Sequence, residues 1–203
     1  ANCASRLAEL LCGGSSSDLP NYPIRGMPAP IVLRYATAQD APELAEFAAK
    51  AFSDTYRDLD DPKDIADYVA EHFNVPAVTS VLRDEACTTL LATLAGKIVG
   101  YAVLKSAEPP ACVAGPKPIE LARLYVGDDF LGQGLGSQVM RAVHAEARRQ
   151  SSKTLWLGVY DRNVRAVAFY ERSGFRKVGG KEFLFGGRIY VDPIYSSRVQ
   201  SDA

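Results

Sequence analysis

At 203 residues, 47% apolar and 23% charged, the chain has the length and composition of one well-buried globular domain and is too short for two ordinary ones. A net charge of −1 gives no overall attraction to nucleic acid or a membrane surface, and no apolar run approaches the ~18 residues that a spanning helix needs. Four scattered cysteines (Cys3, Cys12, Cys87, Cys112), without a CxxC pair and with only His72 and His144 in the chain, argue against a metal site and a Cys–His nucleophile pair. They read as reduced thiols of a cytoplasmic protein.

Residues 1–30 differ in composition from the remainder of the chain. Arg6 to Leu11 has the makings of a short amphipathic turn, but Gly13-Gly-Ser-Ser-Ser17 breaks it, and Pro20, Pro23, Pro28 and Pro30 come after. The apolar Leu7 to Cys12 is too short for a secretory core, so the segment reads as a flexible arm without chemistry of its own. A domain is expected over 31–195, with a polar, frayed tail over 196–203.

Ile31 to Tyr35 is a strand by its β-branched content, and Thr37 can cap a helix whose first turn holds Asp40, Pro42 and Glu43. Leu44, Phe47, Ala48, Ala51 and Phe52 recur at helical steps and predict its core face. A second helix follows Pro62, with Ile65, Tyr68, Val69, His72 and Phe73 on its apolar side. Between and along these helices stand seven acids (Asp54, Asp58, Asp60, Asp61, Asp64, Asp67, Glu71) against two bases (Arg57, Lys63). Acids in a first helical turn are ordinary partners of the helix dipole; alternatively, the patch attracts a cationic acceptor.

Thr88 to Leu94 and Ile98 to Leu104 form two strands joined by a hairpin at Ala95-Gly-Lys97, and the proline-rich stretch Ser106 to Pro118 is long enough for an active-site loop. A strand over Ile119 to Val126 then meets a glycine-rich turn, Leu131-Gly-Gln-Gly134-Leu-Gly136, which opens a helix from Ser137 to Arg149. Such a turn lets an anion approach the backbone and places it on unpaired N–H groups at the positive end of a helix. A P-loop would need Lys and Ser/Thr where Leu135 and Gly136 stand, and a dinucleotide fingerprint would need glycine where Ser137 stands. Taken alone, the turn fits a ligand-free connection equally well. After a strand over Thr154 to Tyr160 comes a helix begun by Asn163, and Phe175 to Val178 and Lys181 to Val191 read as two last strands parted by Gly179-Gly180.

Asn163-x-x-Ala166-x-x-Phe169-Tyr170-x-x-x-Gly174-Phe175, downstream of the Gly134-x-Gly136 turn, resembles the acetyl-CoA-binding motifs of the GNAT N-acetyltransferase superfamily. The resemblance runs from about Ile31 to about Asp192. It implies an α/β fold, with a mixed, mostly antiparallel central sheet and helices on both faces. Phe52 to Tyr56 with Asp64 to Phe73, and the stretch from Phe183 through Gly187 to Asp192, are similar to PaiA-like polyamine acetyltransferases.

By this resemblance, Leu124, Tyr125 and Val126 would offer main-chain groups to the pantetheine arm of acetyl-CoA, Tyr125 alternatively being a substrate-pocket or relay residue, and Val126 N–H would polarise the thioester carbonyl. Gly132, Gln133, Gly134, Leu135, Gly136 and Ser137 would hold the pyrophosphate. Leu131 stands where the family commonly has Gln or Arg, which would weaken CoA affinity in part. Asn163, Ala166 and Phe169 would complete the cofactor site, Asn163 as a helix N-cap that touches the ligand. By spacing alone Tyr170 is a core tyrosine; in the motif it is the proton donor to the departing thiolate. Glu120 is either a strand-edge carboxylate in solvent or the base for the attacking amine, directly or through water. The function expected is direct acetyl transfer to a primary amine, a polyamine or other small cation, with no metal. Transfer to a protein or peptide amine and non-catalytic CoA sensing are the alternatives. Neither nucleic acid nor membrane is an expected partner, while a homodimer fits the family.

Overall fold

A computed structural model describes residues 30–185 and 187–200. Apart from Pro30, the expected arm over 1–30, with Cys3 and Cys12, lies outside the described residues.

Seven strands form one sheet: β1 (Ile31–Tyr35), β2 (Cys87–Leu94), β3 (Lys97–Lys105), β4 (Pro118–Val126), β5 (Thr154–Gly158), β6 (Arg176–Phe185) and β7 (Arg188–Arg198). Their order is β1-β2-β3-β4-β5-β7-β6, and every neighbouring pair is antiparallel except β4 and β5. The helices are α1 (Ala41–Tyr56), α2 (Pro62–His72), α3 (Val75–Arg83), α4 (Leu135–Arg149) and α5 (Val164–Arg172). Strand alternation assigns them to two faces. From β3, Ala102 and Leu104 join the core formed with Val139, Val143 and Ala147 of α4, while Tyr101 and Val103 join Ala48, Phe52, Ile65 and Val78 of α1 to α3. Burial on both sides explains why β3 is apolar along its length. This is the expected mixed sheet, with helices on both faces.

Four local expectations change. Helix α3 was not expected; Asn74 begins it, its Oδ1 accepting from the Ala77 amide at 2.8 Å, with a proline in the first turn. Gly179-Gly180 is no turn but lies inside β6, whose hairpin to β7 turns at Gly187 (φ 71°). These glycines serve close packing: a Cβ on Gly179 would stand 2.6 Å from that of Cys112, and one on Gly180 2.8 Å from Val191 Cγ1. The tail begins later than Ser196, because Ser196 and Arg198 pair with Trp156 and Thr154 of β5. The proline-rich connection packs at the start of β4, where Thr154 Oγ1 donates to Pro116 O at 3.1 Å, away from both cavities described below.

The end of β7 is pinned by a buried histidine. His144 Nδ1 accepts from the Gln200 amide at 3.2 Å, which leaves the ring proton on Nε2, buried without a partner among the described residues. Burial, assisted by the charge of Arg148, pulls its pKa down to about 4. The unfolded chain therefore takes up a proton that the fold refuses as pH falls from the ordinary histidine value. Stability is full above about pH 6.5 and is lost by up to about 3 kcal/mol on descending to about pH 4. Urea denaturation across that window should reveal the slope, and His144→Phe should flatten it.

Candidate active site

The site exists because β4 and β5 part. Their parallel pairing covers only Pro118 to Glu120, opposite Thr154 to Trp156. Beyond Glu120, β4 is bonded to β3 alone, and Ala122 is left out of that register between Leu121 and Arg123, a bulge that bends the strand. The Gly127 amide donates to Val99 O of β3 at 2.9 Å, so by strand alternation Tyr125 also turns its main chain to β3. Leu124 and Val126 then carry their N–H and C=O groups on the open edge. Of the three expected backbone partners Tyr125 is thus corrected as a main-chain donor, while as a pocket residue it lines both cavities described next.

Two cavities fill the opening. The first, about 350 Å³, lies against the glycine turn and is lined by Leu124 to Val126, Leu131, Gly132, Gly134, Gly136, Ser137 and the helix residues Asn163, Ala166, Phe169 and Tyr170. Gly134 is the left-handed residue (φ 87°) that precedes α4, and a side chain there would also stand in the ligand's approach. Gly136 is small for another reason, since a Cβ would lie 3.3 Å from the Phe169 ring. The amides of Gly134, Leu135, Gly136 and Ser137 have no acceptor among the described residues. Two expected residues do not line this cavity. Gln133 folds back, its amide on Phe130 O and its side chain on Asp129 O, and the Leu135 side chain is in the core. Asn163 caps α5, its Oδ1 accepting from the Ala166 amide at 3.1 Å. Arg165 and Arg172, seven residues apart on α5, also line this cavity and escaped the sequence reading.

The second cavity, about 200 Å³, opens on the other side of Leu124, Tyr125, Asn163, Ala166 and Tyr170, which both cavities share. Its walls are aromatic: Phe52 and Tyr68 stack at 4.7 Å, Phe73 lies beside them, and Tyr56 leans on Tyr160. Three charged residues line it, namely Asp60, Asp192 and Arg123. Asp60 Oδ1 accepts from the Tyr160 hydroxyl at 3.0 Å, with Arg162 at 4.0 Å. Burial, together with Asp161 and Asp60 nearby, raises the pKa of Asp192 above the usual carboxylate value. Of the acidic run only Asp60 lines the cavity; Asp54 pairs with Lys50 and Arg57, and Asp67 with Lys63.

Tyr170 is 9% exposed, and its hydroxyl has no hydrogen-bond partner among the described residues. Burial, with a smaller contribution from Tyr56, holds its phenol well above the ordinary tyrosine pKa. Tyr56 is pushed up to about 12 by burial, against a hydrogen bond from Tyr125. Glu120 is half-buried and shifted upward by burial, with Lys181 and Lys105 opposing, but it lines neither cavity.

A splayed strand pair, an amide-lined turn at a helix start and a buried phenol between two cavities form one constellation. The sequence profile of the Acetyltransferase (GNAT) family matches residues 42–175. The chain belongs to this family. As a GNAT acetyltransferase it is an acyltransferase with acetyl-CoA as co-substrate. It is 32% identical over 155 residues to an uncharacterised N-acetyltransferase of Mycobacterium tuberculosis, covering 76% of this chain and 95% of the relative. The spermine/spermidine N(1)-acetyltransferase of Bacillus subtilis is 28% identical over 75 residues, 36% of this chain and 49% of its own. In fold, the chain is similar to the PaiA N-acetyltransferase of Thermoplasma acidophilum, solved with coenzyme A: TM-score 0.69, 18% identity, 83% of this chain and 98% of that one.

Proposed function

We propose that this GNAT protein transfers an acetyl group from acetyl-CoA directly to the primary amine of a small acceptor that enters as an ammonium ion. The observation that carries the reading is Tyr170, an unpartnered, protonated phenol between a cavity of backbone donors and a cavity with two carboxylates. The first cavity fits the cofactor. Its free amides and the cations Arg165 and Arg172 suit phosphate, and the open edge at Leu124 and Val126 suits an amide-bearing arm. When bound there, acetyl-CoA supplies a thioester whose acetyl group is activated for transfer.

The amine arrives protonated, with a pKa of about 10, and has to lose a proton before it can attack. Asp192 lines the acceptor cavity and Glu120 does not, so Asp192 is the carboxylate we assign to the acceptor's ammonium group, with water to pass the proton on. The nitrogen then replaces sulfur at the acetyl carbon, forming C–N as C–S breaks. Val126 N–H, on the open edge, is the donor placed for the carbonyl oxygen. Tyr170, kept protonated by its raised pKa, is the hydrogen-bond donor to the departing thiolate and passes it a proton that water then restores.

A polyamine meets the charge requirement, and the Bacillus spermine/spermidine relative favours it; a peptide amine is the alternative. Thiol release from acetyl-CoA with spermidine, spermine, amino acids and peptides tests the reading. Release with a small amine supports it. Release with peptides alone would move the function to protein acetylation, and saturable CoA binding without release from any amine would make the protein a sensor.

The turn's missing polar residue has a counterpart on α5. Replacing Arg165 and Arg172 together by glutamine should raise the KM for acetyl-CoA about fivefold, leaving kcat within about twofold, since charged phosphate contacts at a half-open surface contribute about 1 kcal/mol between them. Steady-state kinetics at two salt concentrations checks this, because the wild-type KM should rise with salt and the variant's should not.

A further inference from the structure

The acceptor cavity contains a charge that an amine alone does not require. Arg123 follows the bulged Ala122 on β4 and, like Tyr125, is turned toward the α1 to α3 side. Its guanidinium lies 4.7 Å from the centre of the Phe73 ring, and its charge opposes the rise that burial gives the Tyr68 phenol; both neighbours are uncharged groups. Among the described residues no carboxylate pairs with it, although Asp60 and Asp192 line the same cavity; Asp60 takes its hydrogen bond from Tyr160 instead. A half-buried guanidinium without a counter-ion carries a desolvation cost that an anionic group on a ligand would offset. A planar fork held against an aromatic ring, with donors to spare, is suited to a carboxylate.

We propose that the acceptor is an amino-acid-like zwitterion, whose carboxylate is read by Arg123 and whose ammonium is read by Asp192. The inference rests on the acetyl-transfer reading above and puts an amino acid in place of the polyamine as its acceptor. Arg123 is then a specificity residue: it repels a purely cationic amine and favours the same amine bearing a carboxylate.

Matched pairs that differ only by that group test it: ornithine against putrescine, lysine against cadaverine, phenylalanine against phenethylamine. The wild type is expected to prefer the carboxylated member of each pair at least tenfold in kcat/KM. Arg123→Gln should abolish the preference, raising KM for the carboxylated members about tenfold and lowering it for the decarboxylated ones, and Arg123→Lys should keep part of it. Equal or better use of the decarboxylated amines by the wild type would overturn the proposal, as would a glutamine variant that loses both members alike. If the glutamine variant does not fold, the wild-type preference alone decides. Absence of turnover with every amine would count against acetyl transfer, and calorimetric binding of the same pairs to the wild type would then decide the role of Arg123 separately. Tighter binding of the carboxylated members sustains it, and equal binding removes it.

Discussion

Tyr170→Phe is expected to lower kcat about a hundredfold while leaving the KM for acetyl-CoA nearly unchanged, the loss typical of one positioned acid. The same substitution should leave the protein about as stable as the wild type. The hydroxyl has no hydrogen bond among the described residues and stands where the two cavities meet, so removing it breaks no contact. A core role for the ring would give the reverse pattern, since phenylalanine preserves the packing against Phe169 and Phe175 and would preserve the rate. Thiol-release kinetics together with thermal denaturation therefore separate the readings. Full activity in a stable variant would remove Tyr170 from the chemistry.

Asp192→Asn is the second large effect. It should cut kcat/KM for the amine by a hundredfold or more without changing acetyl-CoA binding, because it removes the ionised partner of a cation inside a half-enclosed cavity. Glu120→Gln, outside both cavities, should stay within about threefold of wild type; a deep loss there with an active Asp192→Asn would reverse the assignment. Asp192 has a folded pKa above its unfolded one, owing to burial and to Asp161 and Asp60, so the fold binds its proton more tightly than the open chain does. Its ionisation therefore costs stability as pH rises past the ordinary carboxylate value, and Asn should be more stable than Asp at neutral pH. In the wild type the acid limb of kcat/KM should follow this carboxyl, and in the variant that limb should vanish. Gained stability with lost turnover is the signature of a group kept for function.

What the sequence disclosed was local. The glycine turn and the Asn163 to Tyr170 helix could be read because each is a short segment whose residues act together, with spacing set by one turn and one helix. The helices on both faces were implied by the resemblance, and the unbroken apolar run along β3 agrees with them. The acceptor cavity was not, because its parts meet only through the sheet: Asp60 and Tyr160 are joined across 100 residues of chain, and Asp192 arrives on a strand that returns between two others. The acidic run looked like one patch in sequence, yet Asp54 and Asp67 pair with bases one helical turn away and only Asp60 lines the cavity. Glu120 was chosen for its place at the start of a strand, and the parting of β4 from β5 one residue later leaves it behind. Gly179-Gly180 resembled a turn because glycine pairs usually mark one, whereas here neighbouring side chains leave no room for a Cβ.

The place of β7 bears on how the enzyme is born. It is the last of the described strands, yet it lies between β5 and β6, so β6 and the outer edge of β5 wait for it before their hydrogen bonds can close. A nascent chain that has emerged only through α5 can build the glycine turn and the helix carrying Tyr170. It has no Asp192 and no partner for the exposed edge of β5. On the ribosome the half of the site that holds the donor is therefore complete before the half that chooses the acceptor, and only release of the chain through Arg198 joins them.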